Sequence, residues 1–292
     1  MDWQKDIKPL TDDCWQFSKL VARTFLERTR RDSLAVSAGH LAYVSLLSLV
    51  PVVMVLFMVM SAFPAFSEAR AQVESFIFSN FVPTSGDVVQ QYVSEFVNNA
   101  SQMGAISIAT LLVVAILLIS NIDKTFNHIW RTRVQRPLIY TFAVYWMVIT
   151  LGPLLIGVSI AVSSYLHTVA ALTEEFTFGI GTFLLSLVPS LAGIGIFLIL
   201  YMVVPNRPVK LLPALFGAVL ASALFELTKQ GFALYVASFP SYQVIYGALS
   251  AIPLLFIWVY LSWLVVLFGA VLTYSITIAQ ETRKEQAASS ND

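Results

Sequence analysis

GALSAIPLLFIWVYLSWLVVLFGAVLTYSITIA, residues 247–279, contains no Asp, Glu, Lys or Arg, and the five residues that follow, Gln280-Glu281-Thr282-Arg283-Lys284, bring three. A hydrocarbon layer about 30 Å thick needs about 20 apolar residues in helix, so this stretch can cross one with length left for tilt. Five more stretches have the same character, at 34–63, 104–122, 138–165, 179–204 and 211–237. The whole chain is 58% hydrophobic and 12% charged, with a mean hydropathy of +0.77. Soluble domains carry roughly a quarter charged residues. So few charges cannot cover a water-facing exterior. The expected fold is all-α, a polytopic membrane helix bundle with six transmembrane helices.

The cations orient that bundle. Lys5, Lys8, Lys19, Arg23, Arg28, Arg30 and Arg31 precede the first span, and only Arg70 follows it. Lys124, Arg131, Arg133 and Arg136 lie in the next connection, none in the third, and Arg207 and Lys210 in the fourth. The fifth has none, and the tail holds Arg283 and Lys284. This alternation is the positive-inside pattern of six spans with both termini cytoplasmic. Lys229 alone lies within a span. The expected organisation is a cytoplasmic segment at 1–32, a six-helix domain at 33–279 and a cytoplasmic tail at 280–292.

Two segments outside the spans are amphipathic. Leu10, Cys14, Phe17, Val21 and Phe25 recur at helical spacing opposite Lys19 and Arg23. That helix either lies on the cytoplasmic membrane surface or packs on the bundle. In the connection at 64–103, Val73, Phe76 and Ile77 mark one helix and Val88, Tyr92, Phe96 and Ala100 a second. Pro83-Thr84-Ser85-Gly86-Asp87 supplies turn and N-cap chemistry between them, so a periplasmic helical hairpin is expected between the first two spans.

Several chemistries are excluded. A net charge of zero argues against nucleic acid as a partner. The single cysteine, Cys14, precludes an intramolecular disulfide and a Cys-based zinc cluster. His40, His128 and His167 are dispersed without metal-ligand spacing, so no metal, cofactor or catalytic residue is expected. Residues 1–32 mix acidic and basic side chains without an early apolar core, unlike a cleavable signal peptide.

Ionisable groups within hydrocarbon are costly, and they mark functional sites by default. Glu226 and Lys229 lie three residues apart in the fifth span, about 16 Å and about 12 Å before Ala237 at the rise of an α-helix. Ala214, Ala218, Ser222 and Glu226 recur at i, i+4, with Gly217 and Ala221 alongside. Small residues at that spacing admit a neighbouring helix, so Glu226 is expected to face the bundle interior. There it either lines a polar pathway with Lys229 or forms a buried ion pair that fixes packing. In the first span, Ser37, His40 and Ser48 lie to one side together with Ser33, and Tyr43 lies near them. His40 either bonds a neighbouring helix or meets a ligand. Asp123, Lys124, Asn127, His128, Trp130 and Arg131 read as an interfacial anchor, and Tyr242, Tyr246 and Trp258 as an aromatic belt.

Ala38-Gly39-His40-Leu41-Ala42-Tyr43, Ser48-Leu49-Val50-Pro51 and Asn127-His128-Ile129-Trp130-Arg131 occur in that order. Phe239-Pro240-Ser241-Tyr242, Ile245-Tyr246-Gly247, Trp258-Val259-Tyr260 and Gly269-Ala270 follow. In these motifs the chain resembles the YihY/BrkB family of bacterial inner-membrane proteins, also labelled UPF0761, and its YihY branch most. The resemblance implies six spans with both ends inside and no established activity. It carries an association with virulence and serum resistance, and a suspected role in envelope lipid handling or transport. His40 and Val271 depart from it, standing where relatives often have Asn and an acidic residue. A ribonuclease label attached to some members is not supported, because three dispersed histidines cannot hold a metal and its activated water.

The leading expectation is therefore a transporter or lipid-handling protein of the bacterial envelope, with membrane lipids as partners and a polar surface inside the bundle. The second is a membrane scaffold that docks an envelope protein through the hairpin at 64–103.

Overall fold

The computed structural model describes residues 3–61, 105–132, 180–238 and 251–289. These form six helices and, among the described residues, no strand: α1 (Trp3–Arg31), α2 (Leu34–Ser61), α3 (Ala105–Trp130), α4 (Ile180–Val203), α5 (Leu211–Ser238) and α6 (Ala251–Ser289). The expected span at 138–165, the hairpin at 64–103, and Tyr242 and Tyr246 lie outside the described residues. Three described stretches are long and apolar enough to cross a membrane: Ala109–Trp130, Leu211–Ser238 and Ile252–Gln286. Leu34–Leu49 and Gly193–Val203 are shorter apolar helices.

Local chemistry sets the helix ends. Arg131 takes φ 49° after α3, and the Thr132 N–H returns to the Asn127 carbonyl at 3.2 Å, a left-handed C-terminal cap on a residue other than glycine. Pro213 and Pro253 fall in the first turns of α5 and α6, where the missing N–H has no helical partner to lose. The 39 residues of α6 reach about 58 Å, well beyond the hydrocarbon layer. Residues 280–289 continue that helix without a break, where a separate tail was expected, because Gln280-Glu281, Arg283-Lys284-Glu285-Gln286 and Ala287-Ala288 are strong helix formers.

α6 packs against every other described helix, most extensively α5 and α2. Lipid offers no hydrophobic drive between helices, so close packing must hold them together. At the α5–α6 crossing the buried face of α5 is Ala214, Gly217, Ala218 and Ala221. A methyl on Gly217 would collide with the Thr273 hydroxyl and come within 2.6 Å of the Gly269 carbonyl oxygen. A methyl on Gly269 would collide with the Tyr201 hydroxyl and approach Ala221 Cβ to 2.8 Å. The two backbones therefore touch. Tyr201, fully buried, donates its hydroxyl to the Val266 carbonyl at 2.9 Å and ties α4 to the same place. Thr273, at that contact, and Ser275 and Thr277 farther along α6 are buried too, and each hydroxyl donates to the carbonyl four residues earlier at 2.7–2.9 Å. Their polarity is satisfied within α6 itself.

Two expectations are revised or resolved. Trp258 is no belt residue: it is buried between α5 and α6, with its ring 5.7 Å from Phe225 and 5.2 Å from Phe232. Its register on α6 turns it toward α5, so its position along the chain was a poor guide to its surroundings. For α1 the packed alternative holds, with Phe25 against Phe268 at 6.1 Å and the Arg283 guanidinium 5.4 Å over the Phe17 ring.

Gly217→Ala and Gly269→Ala should each destabilise the protein by about 1–3 kcal/mol, since backbone and a buried tyrosine must move. Gly231→Ala on the same α5, where a methyl meets nothing within 4 Å, should leave stability equal or higher. Thermal denaturation in detergent checks this, and equal midpoints for all three would refute the crossing.

Candidate functional site

On α5, Glu226 and Lys229 form an ion pair, Nζ to Oε2, at 2.8 Å. The Gln230 amide donates to the other carboxylate oxygen at 3.4 Å. The expected interior location of Glu226 is not observed: its side chain is 54% exposed and that of Lys229 36%. Helix geometry gives the reason. Each stride of four residues turns the side chain about 40° past a full rotation, so three strides carry Glu226 about 120° away from Ala214. The buried face instead follows Ala214, Gly217, Ala218 and Ala221 down to Phe232. Ser222, one turn before Glu226, is half-buried on the α4 side, its hydroxyl 3.3 Å from where a methyl on Gly193 would stand. The charged pair thus lies just past the α4–α5 contact, on an outward face of a membrane-length helix.

The polar residues of α2 divide. Ser48 is buried, Ser37 half-buried, and His40 and Tyr43 are exposed. His40 Nε2 meets the Asn121 side-chain oxygen of α3 at 3.3 Å, a link between neighbouring helices. Ser45, unremarked in the sequence, accepts the Trp263 indole N–H at 2.9 Å and joins α2 to α6. α2 packs on α3 and α6, whereas α5 packs on α4 and α6. The α2 group and the Glu226–Lys229 pair therefore belong to different flanks of α6 and do not line one described cavity. Among the described residues, no three His, Cys, Asp or Glu side chains gather as a metal site.

A second polar cluster, missed in the sequence, occupies the end of the bundle where α1 turns into α2. Arg28 donates to the Tyr274 hydroxyl at 2.8 Å, and its guanidinium lies 4.9 Å over that ring. Trp130 is buried edge-on to the same ring at 5.5 Å, and Asp32 is buried 3.9 Å from Arg28. One turn before Trp130, the Asn127 side-chain oxygen accepts the Asn206 N–H at 2.8 Å and the Thr132 hydroxyl at 2.9 Å. Asn127 and Trp130 thus fasten the α4–α5 turn and α6 to α3, a structural role in place of an interfacial anchor. The signal was present in Arg28 and Asp32, four apart beside a helix end, but nothing in the spacing named Tyr274 as their partner.

Just outside this cluster Arg207 makes two bonds to the Glu281 carboxylate, at 2.6 and 2.7 Å. Glu281 is thereby committed, while Lys210 lies within reach of both its charge and that of Lys284. A side-chain hydrogen bond from Lys284, followed by the repulsion of its charge, holds Lys210 below the ordinary lysine range, and Glu281 only partly opposes this.

These features define an integral membrane protein built as an α-helical bundle, with its polar groups divided between one fastened end and one exposed face. The family model described as Virulence factor BrkB matches residues 25–292, and the chain belongs to the BrkB family. It is 62% identical to a UPF0761 membrane protein of Alteromonas mediterranea over 264 residues, 90% of each chain. Similar proteins of the same description occur in Pseudoalteromonas atlantica, 58% identical over 89% of this chain and 87% of the relative, and in Aeromonas salmonicida, 51% identical over 89% and 90%. No solved structure matches.

A lysine with a lowered pKa is uncharged, hence nucleophilic, at a pH where others are still ammonium. At about pH 9, below the ordinary value of about 10.4, acetic anhydride should modify Lys210 ahead of the exposed lysines Lys19 and Lys124. Lys284→Gln should remove that advantage. Peptide mapping by mass spectrometry reads both, and equal labelling of Lys210 in the two proteins would contradict the pairing.

Proposed function

We propose that this protein handles lipid in the bacterial inner membrane, crossing it six times with both termini in the cytoplasm, and that Glu226, Lys229 and Gln230 form the polar surface that meets a lipid headgroup. One observation carries the reading: the ion pair lies on the exposed side of a membrane-length helix and not in its packed core. A charge near mid-bilayer costs about 2.5–3.5 kcal/mol on insertion scales. Among the described helices the pair closes no contact, because small residues and aromatic rings make those of α5 with α4 and α6. A paired carboxylate and ammonium with an amide beside them offer both signs of charge to a zwitterionic or anionic headgroup in transit. His40 with Asn121, and Tyr43, are further polar groups on the lipid side of α2, while Ser37 and Ser48 support that helix from within.

In liposomes carrying fluorescent phospholipid, the wild-type protein should speed exchange between leaflets, read as the fraction quenched by an impermeant reductant. Glu226→Gln with Lys229→Gln should fold with an unchanged thermal midpoint, because the pair is outside the core, yet lose about tenfold or more of that rate, about 1.4 kcal/mol in the barrier. Wild-type exchange equal to that of empty liposomes would reject the function, and a fully active double variant would reject the site.

Reporter fusions test the topology. Those ending after Arg133 and Arg207 should report cytoplasm, and those after Leu172 and Tyr242 the periplasm. A periplasmic signal at Arg133 would break the six-span arrangement.

A further inference from the structure

We propose that α1 is a hinged flap with two resting places, the side of α6 on which it lies here and the anionic surface of the lipid leaflet next to it. The hinge is short. α1 ends at Arg31 and α2 begins at Leu34, so two residues connect them, and Ser33 takes φ 47°, in the left-handed region where a side chain is unfavourable. Ser33 also opens α2, its carbonyl accepting the N–H groups of Val36 at 2.8 Å and Ser37 at 3.1 Å. A change of backbone at this one residue redirects α1 and leaves the first turn of α2 intact.

The docked arrangement is incompletely satisfied. Among the described helices, α6 is the only one with which α1 makes an extensive contact. Arg28 Nη1, Thr29 Oγ1 and Asp32 Oδ2 are buried without a hydrogen-bond partner, and so is the indole nitrogen of Trp130, whose ring is edge-on to Tyr274. The Arg28–Asp32 separation of 3.9 Å is too long for a hydrogen bond. A buried donor or acceptor left unpaired loses its water and receives nothing for it. Lifting α1 from α6 returns the unpaired atoms of Arg28 and Thr29 to water, which offsets part of the loss of the Arg28–Tyr274, Phe25–Phe268 and Phe17–Arg283 contacts.

The outward face of α1 supplies the second resting place. Trp15 and Leu26 are 69% and 60% exposed, and Lys19, Ala22, Arg23 and Arg30 lie exposed on the same side. Tryptophan and leucine interleaved with basic residues suit the headgroup boundary of an anionic leaflet, which attracts each nearby cation. From residue 15 to residue 32, five cations (Lys19, Arg23, Arg28, Arg30, Arg31) stand against Glu27 and Asp32, a net charge of +3. α1 therefore has one apolar face for the bundle and a second, basic and aromatic, for lipid. The two-residue tether keeps it at the membrane surface in either state.

The test is a distance measurement in nanodiscs. In a Cys14→Ser background, spin labels go at Gln16→Cys and Glu285→Cys, both exposed and beside the Phe17–Arg283 contact. In neutral phosphatidylcholine a short distance should dominate. Raising phosphatidylglycerol to about a third of the lipid should move at least half of the population to a longer distance. Arg23→Gln with Arg30→Gln, both on the exposed face, should abolish that response without changing the thermal midpoint. A single short distance at every composition would overturn the flap. Two populations indifferent to lipid charge would overturn the membrane as its second partner. Nanodiscs present the same lipid on both faces, so the result does not depend on the proposed topology or on the Glu226–Lys229 site.

Discussion

The contact between the backbones of α5 and α6 at Gly217 and Gly269 is the constraint on which the rest of the bundle depends. Neither helix could approach so closely with a methyl at either position. Once they touch, Ala214, Ala218 and Ala221 are sealed against α6, and the groove beside Gly269 is filled by Tyr201 from α4. Tyr201 then needs a partner for its buried hydroxyl and finds the Val266 carbonyl. Phe197 and Phe126 flank its ring at 6.2 and 6.4 Å, which brings α3 toward the same point. In lipid, where burial itself yields little, such close van der Waals contact is the available source of cohesion.

Polar groups in this structure are treated in two ways. Thr273, Ser275 and Thr277 are buried along α6 and complete their bonds to α6 carbonyls, so they add no demand on other helices. The cluster around Arg28 and Trp130 is different, because its members depend on groups from four segments and several atoms go without partners. A self-satisfied core is rigid, whereas a cluster whose bonds are incomplete has more to gain by opening. The fixed part of the molecule therefore lies at the α5–α6 crossing, and the changeable part at the junction of α1 and α2.

The helices were legible in the sequence because long apolar runs have few alternatives in lipid. Stretches read at 211–237 and 247–279 correspond to α5 and α6, differing chiefly where polar helix formers extend α6 to Ser289. The face of each helix was less legible. Small residues correctly marked the close-packed side of α5, but extending their i, i+4 pattern to Glu226 ignored the drift of about 40° per stride. A stripe that alternates i+3 and i+4, as Ala214, Gly217 and Ala221 do, stays on one face and leaves Glu226 outside. Trp258 and Trp130 failed for a related reason, since tryptophan near a span end suits a membrane boundary and an aromatic core equally. The neighbours of Arg28 were beyond reach, because Tyr274 lies 246 residues away and no local pattern connects them.

This division of faces also bears on where chemistry can occur. Among the described residues, the α5–α6 crossing is closed by glycine, alanine and a buried tyrosine, so the α5 charges do not act from within that crossing. They lie instead beside the α4–α5 contact, where Ser222 meets Gly193 and the outward surface begins. A substrate using that face would keep its apolar part in the surrounding lipid and present only its polar part to protein. That suits an amphiphile and not a fully polar solute, which would need a water-filled path on every side. In the proposed reading, the same closeness of packing that leaves Glu226 and Lys229 outside the crossing narrows what they would recognise.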